Sequence, residues 1–203
     1  MSLRDVIGIL LAAGSGTRFG GDKLVAALPG TNQGDAVGVA ACLNLVAAVP
    51  EVIAVVRPGD TALAAALAAA LEGAGARVVE CGNAADGMGA SLACGVRASF
   101  GAQGWIVALA DMPWIRSGTI GLLADALRSG AMVAAPFHAG RRGHPVGFGR
   151  ACRAQLAALA GDEGAKAVVA AHRDALVRID VDDPGVLRDV DTPEDLEGLG
   201  SDP

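Results

Sequence analysis

A chain of 203 residues, 52% of them apolar, is long enough to bury a sizeable core, and 1–203 reads as a single domain. Its net charge of −6 excludes a nonspecific grip on nucleic acid, so any polyanion bound here needs a local cluster of cations and N–H groups. Arg4 and Asp5 interrupt the N-terminus, and the apolar stretches Val6–Ala13 and Thr61–Leu71 are too short to cross a bilayer, so a cytoplasmic protein without a membrane partner is expected.

In chain order, short apolar runs alternate with helical patterns. DVIGILLA (5–12), VIAVV (52–56), RVVEC (77–81), WIVALA (105–110) and MVAAP (132–136) predict buried strands, with weaker strands at HPVGF (144–148) and ALVRIDV (175–181). TALAAALAAALE, GASLACGVRAS, SGTIGLLADALRSG and the long segment 150–173 read as helices, the last with a helix break at Gly161-Asp162-x-Gly164 that lets backbone approach a ligand. The Ala-rich run in the first of these reads as a buried face. Ser117 is the expected N-cap of the third and Gly130 its stop. Cys42, Cys81, Cys94 and Cys152 lack metal-ligand spacing and read as reduced thiols.

Strands that are apolar throughout are covered on both faces, and alternation with helices predicts a doubly wound α/β sheet. Ligands of such sheets gather beyond the carboxyl ends of the strands. Polar segments stand at those places: GSGTRFGGDK, RPGD, GNAADGMG, DMP and FHAGRRGHP.

The first of them, in LLAAGSGTRFGGDK, sets Arg18 and Lys23 among glycines whose amides can approach phosphate. A P-loop would continue with Lys-Ser/Thr after the second glycine, where this chain has Asp22-Lys23. A short-chain dehydrogenase would carry a Tyr-x-x-x-Lys pair and an acid after the second strand. The chain has no Tyr, and Arg57 stands where that acid would be. What remains is a loop able to hold the phosphates of a nucleotide and to neutralise a departing pyrophosphate.

The stretch LLAAGSGTRFGGDKL resembles the signature of the MobA-like nucleotidyltransferases. LADMP (109–113), GMGASL (87–92), RRGHPVGF (141–148), GDEGA (161–165) and DVDTPEDL (189–196) resemble motifs of that family's molybdenum-cofactor cytidylyltransferase branch, in the expected order. The resemblance implies a three-layer Rossmann-like fold of the nucleotide-diphospho-sugar transferase type, with a mostly parallel sheet and one antiparallel strand. It implies transfer of CMP from CTP to molybdopterin carrying molybdenum, with Mg²⁺ or Mn²⁺ as cofactor and a molybdenum hydroxylase as a downstream partner. Leu11-Ala12-Ala13-Gly14 favours CTP, since GTP-using members tend to read L-A-G-G and one methyl can crowd a purine. Two departures stand out: Phe19 replaces the usual Met, and Asp35-Ala36-Val37 stands where relatives carry Pro-Leu.

On these grounds Arg18, Lys23 and Asp111 are the expected catalytic residues. Leu11, Ala12, Ala13, Gly14, Gly16, Arg18, Lys23, Gly87, Gly89 and Ser91 are expected at the nucleotide, with Ser91 open also to a plain capping role. Asp111 ends an apolar run, where a carboxylate is costly unless paired or metal-bound, so it is the expected metal ligand. Asp189 is the expected second ligand and Asp191 a helix cap, the reverse assignment staying open. His144 and Asp162 are expected at the acceptor, His144 equally as a structural hydrogen-bonder. Three competitors stand beside this reading: a guanylyl- or sugar-phosphate nucleotidyltransferase, a molybdenum-cofactor carrier, and an oxidoreductase.

Overall fold

The computed structural model describes residues 4–14, 19, 22–29, 35–59, 61–162 and 164–197. Its strands are β1 (Arg4–Leu11), β2 (Val52–Val56), β3 (Arg77–Glu80), β4 (Ala102–Leu109), β5 (Val133–His138), β6 (Arg141–Arg142), β7 (Val146–Gly149) and β8 (Leu176–Asp180). They form one sheet in the order β3-β2-β1-β4-β7-β5-β6, with β8 paired to β5. Strands β3, β2, β1 and β4 are mutually parallel, and β8 runs parallel to β5. β7 runs against both β4 and β5, and the two-residue β6 folds back on β5 as a hairpin. The expected α/β sheet, mostly parallel with one antiparallel strand, is observed with β7 as that strand, and the two-residue β6 adds a second antiparallel piece at the edge.

The helices are α1 (Val37–Val46), α2 (Ala62–Gly73), α3 (Met88–Ala98), α4 (Ser117–Arg128), α5 (Arg153–Ala157), α6 (Lys166–Ala171) and α7 (Glu194–Glu197). Alternate residues of a strand face opposite sides, and β1 divides accordingly. Val6 and Leu10 enter a cluster with Leu45, Leu71 and Leu123, from α1, α2 and α4. Ile7 and Ile9 enter the opposite cluster with Leu92, Leu156 and Val168, from α3, α5 and α6. This is the three-layer arrangement: helices cover both faces of the sheet and leave the strand ends to carry chemistry. Trp105, fully buried on β4, satisfies its indole N–H on Ser99 Oγ at 2.9 Å, and Ser99 donates in turn to Gly95 O at 2.7 Å. No described helix is long and apolar enough to cross a membrane.

The helix break expected at Gly161-Asp162-x-Gly164 is observed: α5 and α6 are separated by a loop in which Gly161 and Gly164 take positive φ of 62° and 53°. The Ala/Leu period continues through this segment, but left-handed backbone cannot continue a right-handed helix. Two local expectations are corrected. First, α2 buries only Leu67 and Leu71, so most of its alanines face solvent and contribute helix propensity rather than core. Second, Ser117 is the first residue of α4, not its cap. The carboxylate of Asp183, from a distant 3₁₀ turn, accepts from Arg116 N at 2.9 Å and Thr119 Oγ at 2.7 Å. Gly130 does end α4, with φ of 97°.

Candidate active site

A cavity of about 420 Å³ opens beyond the carboxyl ends of β3, β2, β1 and β4. Each strand delivers part of its wall: Ala84 and Ala85 follow β3, Arg57 follows β2, Leu11, Ala13 and Gly14 end β1, and Leu109 and Asp111 end β4. Gly87, Met88 and Ser91 from the start of α3 and Asp162 from the loop between α5 and α6 close it. Ala12, read as part of the nucleotide loop, is turned into the core beneath and does not line this cavity. Gly16 and Arg18 lie outside the described residues.

The charged centre of the site is built from three segments. Lys23 is carried on a 3₁₀ turn capped by Asp22, whose carboxylate accepts from Leu24 N at 3.2 Å. Its ammonium lies 2.7 Å from Asp111 Oδ2 and 3.1 Å from Asp191 Oδ1. Asp111 is held at the tip of β4 by backbone bonding on either side. Ala110 N donates to Leu11 O, and Val190 N donates to Asp111 O at 2.8 Å. That second bond docks the acidic segment: Val190 is wholly buried, and the carboxylates of Asp189 and Asp191 come from either side of it. One oxygen from each of Asp111, Asp189 and Asp191 lies within 4.8 Å of the others.

The expected second metal carboxylate, Asp189, is therefore joined by Asp191, which was read as a cap. Asp195, inside α7, instead accepts from Asp191 N at 2.9 Å and Thr192 N at 2.7 Å. Burial works against the charge on Lys23, but hydrogen bonds and coulombic attraction from Asp111 and Asp191 outweigh it and hold its pKa above the usual lysine value. The cluster also fits a divalent ion. Asp111 Oδ1 is buried with no hydrogen-bond partner among the described residues, and one lysine cannot neutralise three carboxylates.

The turn into α3 has a packing explanation of its own. Gly87 takes φ of 128°, and a Cβ there would lie 2.3 Å from Asp162 Oδ1 and 2.5 Å from Gly161. At Gly89 a Cβ would lie 2.8 Å from both Ala160 O and Gly161 O, and Gly89 N donates to Gly161 O at 2.8 Å. Both glycines thus let the 160–162 loop press against the start of α3. Ser91 is buried and donates to Gly87 O at 3.4 Å from within the helix; it does not occupy the N-cap position, which belongs to Gly87.

A second cavity of about 280 Å³ shares the walls Leu11, Met88, Leu109 and Asp162 with the first. Its floor is apolar (Leu92, Val107, Phe148, Val169), and Arg142, His144 and Lys166 stand on its rim. The structure thus brings His144 and Asp162 to one cavity. His144 is fixed through its backbone, donating to Val186 O at 2.9 Å. Burial first, and the Arg142 charge second, push its pKa below the usual histidine value. Arg57, Arg142 and Lys166 were not among the expected site residues. The signal for Arg57 and Arg142 was their place in RPGD and FHAGRRGHP, two of the polar segments that follow strands.

Residues 8–176 match the family model described as MobA-like NTP transferase domain. Among curated proteins, the chain is 31% identical to purine catabolism protein PucB of Bacillus subtilis (strain 168) over 95% of this chain and 94% of that one. It is 33% identical to nicotine blue oxidoreductase of Paenarthrobacter nicotinovorans over 96% of each chain. Among solved structures it resembles Rv0371c from Mycobacterium tuberculosis H37Rv, with a TM-score of 0.76, 27% identity and coverage of 97% of this chain and 98% of that one. A manganese complex of Rv0371C is similar at a TM-score of 0.71, with 25% identity and coverage of 97% and 100%. Molybdopterin-guanine dinucleotide biosynthesis protein A from Archaeoglobus fulgidus shares the fold, with a TM-score of 0.65 at 20% identity over 94% of this chain and 95% of that one.

Proposed function

The chain belongs to the MobA-like NTP transferase family and is a nucleotidyltransferase, and we propose that it moves CMP from CTP to a phosphorylated, molybdopterin-type acceptor with release of pyrophosphate. One observation carries this reading. A lysine from the β1 loop region and three carboxylates meet at the carboxyl end of the sheet, beside a cavity of nucleotide size that opens into a second one. The choice of cytidine is supported by Ala13, the residue that distinguishes L-A-A-G from L-A-G-G, whose place is in the cavity wall.

The acceptor is a phosphate monoester, already anionic at neutral pH, so no protein nucleophile or strong base is needed. Its oxygen attacks the α-phosphorus in line. The new P–O bond forms as the bond to the β-phosphate bridging oxygen breaks, and pyrophosphate leaves with that electron pair. Asp111, Asp189 and Asp191 would hold the Mg²⁺ or Mn²⁺. When bound, such an ion neutralises phosphate charge and aligns the two reactants. Lys23 and Arg18 stabilise the charge growing on the leaving group, together with the amides of the glycine loop, Gly14 and Gly16 among them. Gly87 and Ser91 stand in the wall of the nucleotide cavity, Gly89 seats the 160–162 loop behind it, and His144 and Asp162 orient the acceptor against it. Positioning and charge neutralisation supply the rate.

A guanylyl transfer by the same residues is the second reading, favoured by the fold likeness to the Archaeoglobus protein named for a guanine dinucleotide. Calorimetric titration with CTP, GTP, ATP and NADPH, with and without Mg²⁺, separates the possibilities. Magnesium-dependent binding of CTP over GTP supports the proposal, and the reverse order moves the product to the guanine dinucleotide. NADPH binding without triphosphate binding would point instead to the chemistry in the name of the Paenarthrobacter relative. No nucleotide binding at all would leave a cofactor carrier.

A further inference from the structure

Arg57 is the feature of the nucleotide cavity that the reaction leaves unused. It directly follows β2, and its Nε donates to Ala13 O at 2.6 Å. That bond satisfies a strand-end carbonyl and fixes the plane of the guanidinium. The two terminal nitrogens make no hydrogen bond among the described residues, and the side chain lines the cavity. Arg57 is exposed, and a carbonyl holds the exposed Arg77, Arg97 and Arg116 in a similar way; Arg57 differs from them in lining the cavity.

Strand order decides which part of a nucleotide it meets. β2 lies between β1 and β3, whereas Asp111 ends β4 on the other side of β1. Triphosphate chemistry is anchored at Lys23 and Asp111, so the opposite end of the cavity, at Arg57, Ala84 and Ala85, is left for the base. Alanines there offer a surface for the flat ring but no hydrogen-bonding side chain. Among the described residues lining the cavity, Arg57 is the cation, and it stands at that end.

We propose that Arg57 selects the base, presenting its paired terminal N–H groups to an edge that carries two adjacent hydrogen-bond acceptors. This rests on the nucleotidyltransferase reading. Cytosine offers such a pair at N3 and O2, and guanine at O6 and N7. Adenine and uracil place a donor beside each acceptor on the corresponding edges and leave one N–H of the fork facing another donor.

The test is direct binding of CTP, GTP, ATP and UTP in the presence of Mg²⁺ to the wild type, Arg57→Gln and Arg57→Lys. The wild type is expected to bind CTP or GTP at least about 10-fold more tightly than ATP and UTP, consistent with one good bidentate pair. The tighter of CTP and GTP identifies the base. Arg57→Gln is expected to bring all four within about threefold of one another by weakening the preferred one. Arg57→Lys retains the charge and a donor for Ala13 but lacks the fork, and is expected to lose the preference as well. Equal weakening of all four in both variants overturns the proposal and assigns Arg57 to phosphate binding or to the β1–β2 ends. An unchanged preference, or a wild type that binds all four alike, overturns it while leaving the transferase reading intact. A wild type that binds none of them refutes both.

Discussion

Lys23 occupies the position that a metal ion would otherwise contest, and replacing it with methionine tests that geometry. The ammonium bridges Asp111 at 2.7 Å and Asp191 at 3.1 Å, while Asp189 brings a third carboxylate into the same cluster. The Lys23 side chain is 12% exposed and that of Asp191 43%, so solvent screens part of the attraction. Each such charge-assisted bond then contributes about 1 kcal/mol net. A divalent ion entering the nucleotide-free protein has to displace both, at a cost of about 2 kcal/mol, or about 30-fold in affinity. Lys23→Met keeps the stem and removes the competing charge. The nucleotide-free variant should therefore bind Mn²⁺ about 30-fold more tightly than wild type, measured from the free-Mn²⁺ paramagnetic resonance signal at fixed pH and ionic strength. The same variant should bind triphosphate more weakly. Unchanged or weaker Mn²⁺ binding by Lys23→Met would refute the reasoning, because it would mean that the ion does not contend with Lys23 for Asp111 and Asp191.

Three further outcomes follow from packing and charge. Gly87→Ala should lower stability by about 2 kcal/mol and the melting temperature by about 4–8 °C, because its φ of 128° is costly for alanine and the new Cβ meets Asp162 and Gly161; a melt within 1 °C of wild type would count against the assignment, that threshold being about half a kcal/mol or less. Asp183→Ala should cost about 3 kcal/mol in urea denaturation, since it strips partners from Arg116 N, Gly185 N and the buried Thr119 hydroxyl; a loss under about 1 kcal/mol would contradict the capping role. His144 has a pKa lowered in the folded state by burial and by Arg142, so on acidification the unfolded chain takes up its proton first. Stability should therefore fall as the pH drops through 6.5, the unperturbed histidine value, and stop falling below the folded-state pKa. His144→Gln should flatten this part of the profile measured by urea denaturation, and an identical profile in wild type and variant would show that another group is responsible.

Much of the architecture could be read from short-range pattern because its causes are short-range. A strand covered on both faces has to be apolar throughout, which is why VIAVV and WIVALA were legible as strands and why Asp111, ending the second of them, stood out as a carboxylate with a purpose. Lys23, singled out by its charge after the glycine-rich loop, reaches Asp111 and Asp191, while Gly16 and Arg18 of that loop lie outside the described residues. The break at Gly161-Asp162-x-Gly164 was legible in its glycines, whereas the fit of that loop against the start of α3 was not. Pattern failed where a competing interaction lay elsewhere in the chain. Ser117 has the chemistry of an N-cap, but Asp183 holds that end of α4.

The sequence by itself determined most of the elements, the end of the sheet where the cavity opens, and the family, because hydrophobic period and residue chemistry are local properties. Only the tertiary structure decided which charges meet. Lys23 and Asp191 are 168 residues apart, and they are joined because Val190 is buried and hydrogen-bonded to the tip of β4, which carries its two acidic neighbours to Asp111. Arg57 likewise became a cavity residue only when strand order set β2 between β1 and β3. Such encounters depend on how the strands are ordered and how the loops dock, and spacing along the chain does not encode them.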